Sequence, residues 1–178
     1  MWFADMVEAF ALLLLGHAAA DFVFQSDSVV ARKARSGTRA SALIEHGAIL
    51  LLCHGVALAP IASLEAALAV AAVVLVHIVL DWAKSVADER WPRPLLFFLL
   101  DQALHILTIA AAALYLAGSE QTLLWALPPE SVHWLAVLAL YVSAWILVWR
   151  GGEFFMSILL AACHRQPGWY PVCTQLTG

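Results

Sequence analysis

Five stretches of this chain are long, apolar and almost free of charge, and nothing constrains its fold more. A helix crossing the hydrocarbon of a bilayer needs about 20 consecutive, mostly apolar residues. Residues 41–60, 63–86, 94–117 and 131–150 meet that length. Residues 4–24 meet it too, although Asp5, Glu8 and Asp21 interrupt them. Hydrophobic side chains make up 63% of the 178 residues and charged ones 12%. Soluble domains are nearer half apolar and a quarter charged, so a protein core alone does not account for the excess. The expectation is an all-α fold: one polytopic helical membrane bundle over 1–178, with five transmembrane helices and a short helix or tail over 151–178.

Local signals mark the ends of these helices. Pro60 stops the second. Ser63 and Ser131 are N-cap candidates for the third and fifth. Pro94 holds a favoured first-turn position in the fourth, and Gly118 lies just past its end. The apolar run Phe154 to Cys163 is too short to span alone. It reads as an interfacial helix or a bent extension of the fifth. The opening "MWFADMVEAF" carries Asp5 and Glu8 but no Lys or Arg. It therefore lacks the basic region of a secretory signal and reads as the start of a retained membrane helix. Cys53, Cys163 and Cys173 show neither metal-type spacing nor an obvious pairing. The sequence has no basic run interleaved with aromatics, so no nucleic-acid partner is expected.

Charge placement orients the bundle. The nine basic residues are Arg32, Lys33, Arg35, Arg39, Lys84, Arg90, Arg93, Arg150 and Arg165. With five spans they all fall on one side, which the positive-inside rule makes cytoplasmic. Asp5, Glu8, Glu65, Glu120 and Glu130 fall on the other. The N-terminus is then outside and the C-terminus inside. Tryptophans such as Trp91, Trp125, Trp134 and Trp149 sit at helix ends and read as interface anchors.

This topology gathers ionisable groups into one layer. His17 and Asp21 lie near the inner end of the first helix, Glu45 and His46 near the inner start of the second. His77 and Asp81 follow in the third, Asp101 and His105 in the fourth. His54 and His133 fall in the outer half. Residues i and i+4 share a helix face, so three of these helices each present one imidazole and one carboxylate in the same direction. A charge at mid-helix costs about 2.5–3.5 kcal/mol even on a mild insertion scale. Such groups must face inward and find partners. Imidazole with carboxylate is a ligand set suited to zinc, manganese or iron, and bundles that bind two metals draw such groups from four helices. The metal ligands expected are His17, Asp21, His46, His77, Asp81 and His105. There is also an internal echo. "HAAADF" at 17–22 and "HIVLDW" at 77–82 are offset by 60 residues, and His46 and His105 by 59. It suggests two helix pairs related by an axis along the membrane normal, as in parallel repeats.

"HAAADFVFQ", "HIVLDWAK" and "FFLLDQALH" resemble the hallmark segments of a bacterial membrane-protein family catalogued as domain of unknown function 3307. The resemblance rests on His17, Asp21, Phe22, Gln25, His46, His77, Asp81, Lys84, Asp101, Gln102 and His105, within roughly 10–165. It implies a multi-pass protein of the bacterial cytoplasmic (inner) membrane. It also implies further C-terminal hydrophobic segments, whereas this chain stops at Gly178. It supplies no activity.

Two functions of different classes fit the site. The first is a metal-dependent membrane hydrolase. Glu45 or Asp101 would serve as general base, and the basic connection 25–40, with Arg32 and Lys33, would hold a phosphate-bearing or lipid-linked substrate. Gln25, Lys84 and Gln102 are further candidate substrate contacts. Their plainer reading is as interface-reaching or helix-bonding side chains, and that of the basic cluster is as an orientation signal. The second function is a cation- or proton-coupled transporter. Against it, no span is broken by Gly or Pro near the site, and ionisable groups are sparse in the outer half. A metal-free polar network, or His–Asp bonds that only fix packing in a non-catalytic binding or structural protein, also remains open. The partner common to all readings is the lipid bilayer. The sequence does not determine the oligomeric state.

Overall fold

The computed structural model of the protein describes residues 2–164 apart from 36, 92 and 121. Helix α1 (Trp2–Ala18) runs into a π turn (Ala19–Val23). A short helix α2 (Asp27–Lys33) precedes α3 (Arg39–Leu58), strand β1 (Ile61–Ser63) and α4 (Leu64–Arg90). Then come α5 (Pro94–Gly118), strand β2 (Leu123–Ala126) and α6 (Pro129–Ile146). A second π turn (Leu147–Gly151) leads into α7 (Gly152–His164). Five stretches are long and apolar enough to cross a membrane: Asp5–Val23, Arg39–Leu58, Leu64–Arg90, Pro94–Gly118 and Pro129–Ala161.

Four of these helices close a ring. α1 packs on α3, α3 on α4, α4 on α5 and α5 back on α1, while α6 lies against α1 from outside. Neighbours in the ring run antiparallel, the up-down order that short connections favour. One end of the ring holds the connections 24–38 and 91–93. The other holds β1 and β2, which pair antiparallel with Ile61 opposite Ala126. There Glu65 accepts from the Thr122 backbone N–H at 2.7 Å, and His133 meets Glu8 at 3.0 Å. This half is filled by Leu12, Leu13, Val70, Ile109, Ala113 and other buried apolar side chains. Outward faces carry Leu52, Leu75, Leu107, Tyr141 and Trp145, all exposed. An apolar exterior around internally bonded helices is what hydrocarbon demands.

Several boundaries differ from expectation for physical reasons. Ser63 does cap α4, its hydroxyl accepting from the Ala66 N–H at 2.9 Å. Ser131 is not the cap of α6. That helix starts at Pro129, because a proline at the first position has its φ already set for a helix. α4 runs on to Arg90, its last turns held by Lys84–Asp88 at 2.9 Å and by the Arg39–Glu89 ion pair. The strands and α2 were not expected. α2 begins at a Ser26 cap that accepts from the Val29 N–H, and it ends in Arg32 and Lys33, where cations suit the helix dipole. α7 continues α6 through the second π turn. The apolar stretch Pro129–Ala161 has 33 residues, about 50 Å of helix, against a hydrocarbon core of about 30 Å. It must tilt or carry α7 beyond the hydrocarbon.

Candidate metal centre

Ring closure brings seven ionisable side chains together: His17 from α1, Asp21 from the π turn, His46 from α3, His77 and Asp81 from α4, Asp101 and His105 from α5. The four imidazoles are 0–2% exposed. Two glycines allow this approach. A Cβ on Gly16 would stand 3.0 Å from the His54 backbone, and one on Gly47 would stand 2.6 Å from Ile78. Each glycine neighbours a cluster histidine in sequence, so α1, α3 and α4 sit close at the level of the imidazoles. The π turn shapes the same level. Such turns are rare and concentrate at functional sites, and this one carries Asp21 at its middle. The Phe22 carbonyl near its end accepts from Arg150 Nε at 3.3 Å.

Four donor atoms form two triangles that share the edge between His46 and His77. Asp21 Oδ1 lies 3.2 Å from His46 Nε2 and 3.4 Å from His77 Nε2. The two Nε2 atoms are 3.2 Å apart. Asp81 Oδ2 lies 3.6 Å from His46 Nε2 and 3.8 Å from His77 Nε2. Donors on a tetrahedral ion at about 2.0–2.1 Å stand about 3.3–3.4 Å apart, so each triangle has edges close to those of one face of such a site. Three donor sets within 4.8 Å recur across the cluster: His17–Asp21–His77, His46–His77–Asp81 and Asp81–Asp101–His105.

Hydrogen bonding leaves the cluster incomplete. Among the described residues, both ring nitrogens of His17 and of His105 are buried without a hydrogen-bond partner, as are Asp21 Oδ1 and Asp101 Oδ1. Each such group costs about 1–3 kcal/mol when left unmade. His17 Nδ1 stands 3.7 Å from Asp21, and His105 Nδ1 stands 3.6 Å from Asp101. Those separations are too long for hydrogen bonds. Cations bound among these lone pairs would satisfy them.

The remaining sequence candidates divide. Gln25 places its side-chain nitrogen 3.2 Å from His46 Nδ1. Amide oxygen and nitrogen exchange by a flip. A turned Gln25 would accept from Nδ1–H and hold His46 with Nε2 free to bind a metal. Lys33 is buried and donates to Asp81 Oδ2. A carboxylate has room for further partners. Gln102 donates to Asp101 Oδ2 at 3.2 Å. Gln25, Lys33, Lys84 and Gln102 all line a cavity of about 480 Å³ that reaches Asp21, Asp81 and Asp101. Arg32 and Glu45 pair with each other on the surface, outside both cavity and cluster. His54 also stands apart, its Nδ1–H donating to the Leu50 carbonyl at 2.9 Å. Sequence reasoning missed the contribution of α7, whose Phe154 and Ile158 line the cavity together with Phe98 of α5. It also missed the glycines, although "GH" at 16–17 and "HG" at 46–47 were there as a signal.

Five membrane-length helices around a buried imidazole–carboxylate cluster define a polytopic membrane protein with a polar site inside its helical ring. The chain belongs to the family described as protein of unknown function (DUF3307), whose model matches residues 9–136. The match takes in every donor of the cluster and ends before α7. No curated protein and no solved structure matches the chain.

Proposed function

We propose that the chain is a metal-dependent membrane hydrolase acting on a phosphoester or lipid-linked substrate at the cytoplasmic face. The observation that carries this reading is the convergence of Asp21 and Asp81 on the His46–His77 pair, with oxygen–nitrogen and nitrogen–nitrogen distances of 3.2–3.8 Å. A divalent zinc, manganese or iron ion held there would lower the pKa of its bound water toward neutrality. Asp101 lines the cavity beside the cluster. Its Oδ1 has no hydrogen-bond partner among the described residues, so it is placed to take the proton as general base. Glu45 is occupied by Arg32 on the surface and has no part in this scheme. The cavity suits an amphiphile. Its lining joins polar groups of α2, α4 and α5 to the apolar side chains of Phe22, Phe98, Phe154 and Ile158. The transporter reading is weaker, because the half of the ring beyond the cluster is a packed apolar core and offers ions no path.

The test is direct. Protein purified in detergent is expected to carry a divalent metal and to hydrolyse a phosphoester or lipid substrate. Chelator should abolish the activity, and the same metal should restore it. Protein without bound metal, and with no gain on adding any divalent ion, would overturn the reading.

The orientation rests on charge. All eight described basic residues lie at the cluster end of the ring, and the positive-inside rule makes that end cytoplasmic. In a background without native cysteines, Cys at position 119 should react with an impermeant thiol reagent on intact cells. Cys at position 38 should react only after permeabilisation. The reverse pattern would refute the assignment.

A further inference from the structure

We propose that a second divalent ion sits beside the first, held by Asp81, Asp101 and His105 with His17 alongside, and that the pair binds a phosphate monoester. This rests on the metal-centre reading above. One ion would leave buried donor atoms unsatisfied. The first donor set is Asp21, His46, His77 and Asp81. It does not reach His105, whose two nitrogens are buried without a hydrogen-bond partner, nor His17, in the same condition. Yet donors of Asp81, Asp101 and His105 lie within 4.8 Å of one another.

The internal repeat points to the same second site. The offset of 60 exchanges His17 with His77 and Asp21 with Asp81, and the offset of 59 exchanges His46 with His105. Applied to the first donor set, the exchange returns Asp81, His105 and His17, all in the second site, and Asp21 in place of Asp101, which has no repeat counterpart. One exchanged pair of rings matches in spacing. His46 and His77 have centroids 5.2 Å apart, and so do His17 and His105. Asp81, which belongs to both donor sets, would be shared between the ions, as carboxylates are in two-metal helical bundles.

Charge also favours two ions. Lys33 neutralises Asp81, Lys84 neutralises Asp88 and Arg39 neutralises Glu89. Asp21 and Asp101 have no Lys or Arg partner among the described ion pairs. With neutral imidazoles, as ligation requires, that leaves a charge of −2. One divalent ion brings the site to zero, where it has no pull on an anion. Two bring it to +2, the complement of a doubly charged phosphate. A metal pair clamps both the entering and the leaving oxygen of an in-line displacement. In that reaction a water oxygen bonds to phosphorus, the bond from phosphorus to the ester oxygen breaks, and, with Asp101 engaged as a ligand rather than as the base, a proton of the water leaves on the alcohol. Inorganic phosphate remains.

The full-length protein in detergent, loaded with manganese(II), provides the test. The wild type should bind two ions per chain and give the paramagnetic resonance spectrum of an exchange-coupled pair. His105→Ala and the isosteric Asp101→Asn should each bind one ion and give an uncoupled spectrum. Inorganic phosphate should bind the two-ion wild type at least tenfold more tightly than either variant. Circular dichroism and size exclusion identify variants that fold, and Asp101→Asn carries the test if His105→Ala does not. One ion in the wild type, or two in a folded variant, overturns the second site while leaving the first. Equal phosphate affinity overturns the substrate class. No bound manganese in the wild type overturns the metal centre itself.

Discussion

Asp81→Ala is expected to remove the metal and to destabilise the fold as well, and a second substitution should separate the two effects. Asp81 contributes to the first donor set through Oδ2 and also accepts the Lys33 ammonium. Both side chains of that ion pair are about nine-tenths buried. Removing one partner of such a pair leaves an uncompensated charge and typically costs about 3–5 kcal/mol. Replacing both by neutral groups of similar shape is often nearly neutral. The double variant Lys33→Met/Asp81→Asn should therefore regain most of the thermal stability measured in chelator. Its metal affinity should stay at least about a hundredfold below wild type, since changes behind the ligands alone cost about 10–100-fold. Thermal unfolding followed by fluorescence, with metal analysis of the same samples, reads both effects. If Asp81→Ala keeps its metal, the donor assignment is wrong. If the double variant stays as unstable as the single, Lys33 is not the reason for the instability.

Lys33 also shows where sequence reasoning reaches its limit. In sequence it belongs to a run of basic residues whose simplest meaning is orientation. In the structure it alone of that run enters the cluster. The cause is helical geometry: consecutive residues are about 100° apart around a helix. With Val29 and Lys33 of α2 facing inward, both buried, Arg32 must face outward, where it meets Glu45. The same geometry removes Glu45 from the site. It directly precedes His46, and α3 cannot aim both inward. By contrast, His17 with Asp21, His77 with Asp81 and Asp101 with His105 were legible as facing pairs, because residues four apart share a face.

The number of spans was legible because about 20 apolar residues have few other uses. The layer that gathers the site followed from alternating helix direction. The π turn at Asp21 had no comparable signal, since it differs from the α-helix in bonding rather than in composition. Nor did the pairing of β1 with β2, two strands of three and four residues whose partners lie in separate connections. The α7 wall of the cavity was hidden for another reason. Its apolar run was too short to assign to a span, and only the continuation of α6 through a π turn brings Phe154 and Ile158 against α5.

The bound metal is expected to be a structural member of the ring as well as its chemistry. Asp21, His46 and the pair His77 and Asp81 come from three consecutive sides of the helical ring, so one ion ties α1, α3 and α4 together at the level of the cluster. Without it, Asp21 Oδ1 is buried with no hydrogen-bond partner among the described residues, and the ion would supply one. An ion that binds only the folded state adds about 2.7 kcal/mol at a hundredfold excess over its dissociation constant, a rise in melting temperature on the order of 5–10 °C for a chain of this size. Zinc or manganese should produce that rise in the wild type, and chelator should reverse it. Because ligand histidines must be neutral, the rise should shrink on acidification. His77→Ala should abolish it. His54→Ala is the control: His54 is equally buried but bonds the Leu50 carbonyl and belongs to no donor set. That variant should lose baseline stability through its packing on Gly16, yet respond to metal as the wild type does. A melting temperature indifferent to every divalent ion, in a wild type of verified fold, would leave the cluster as a metal-free polar network.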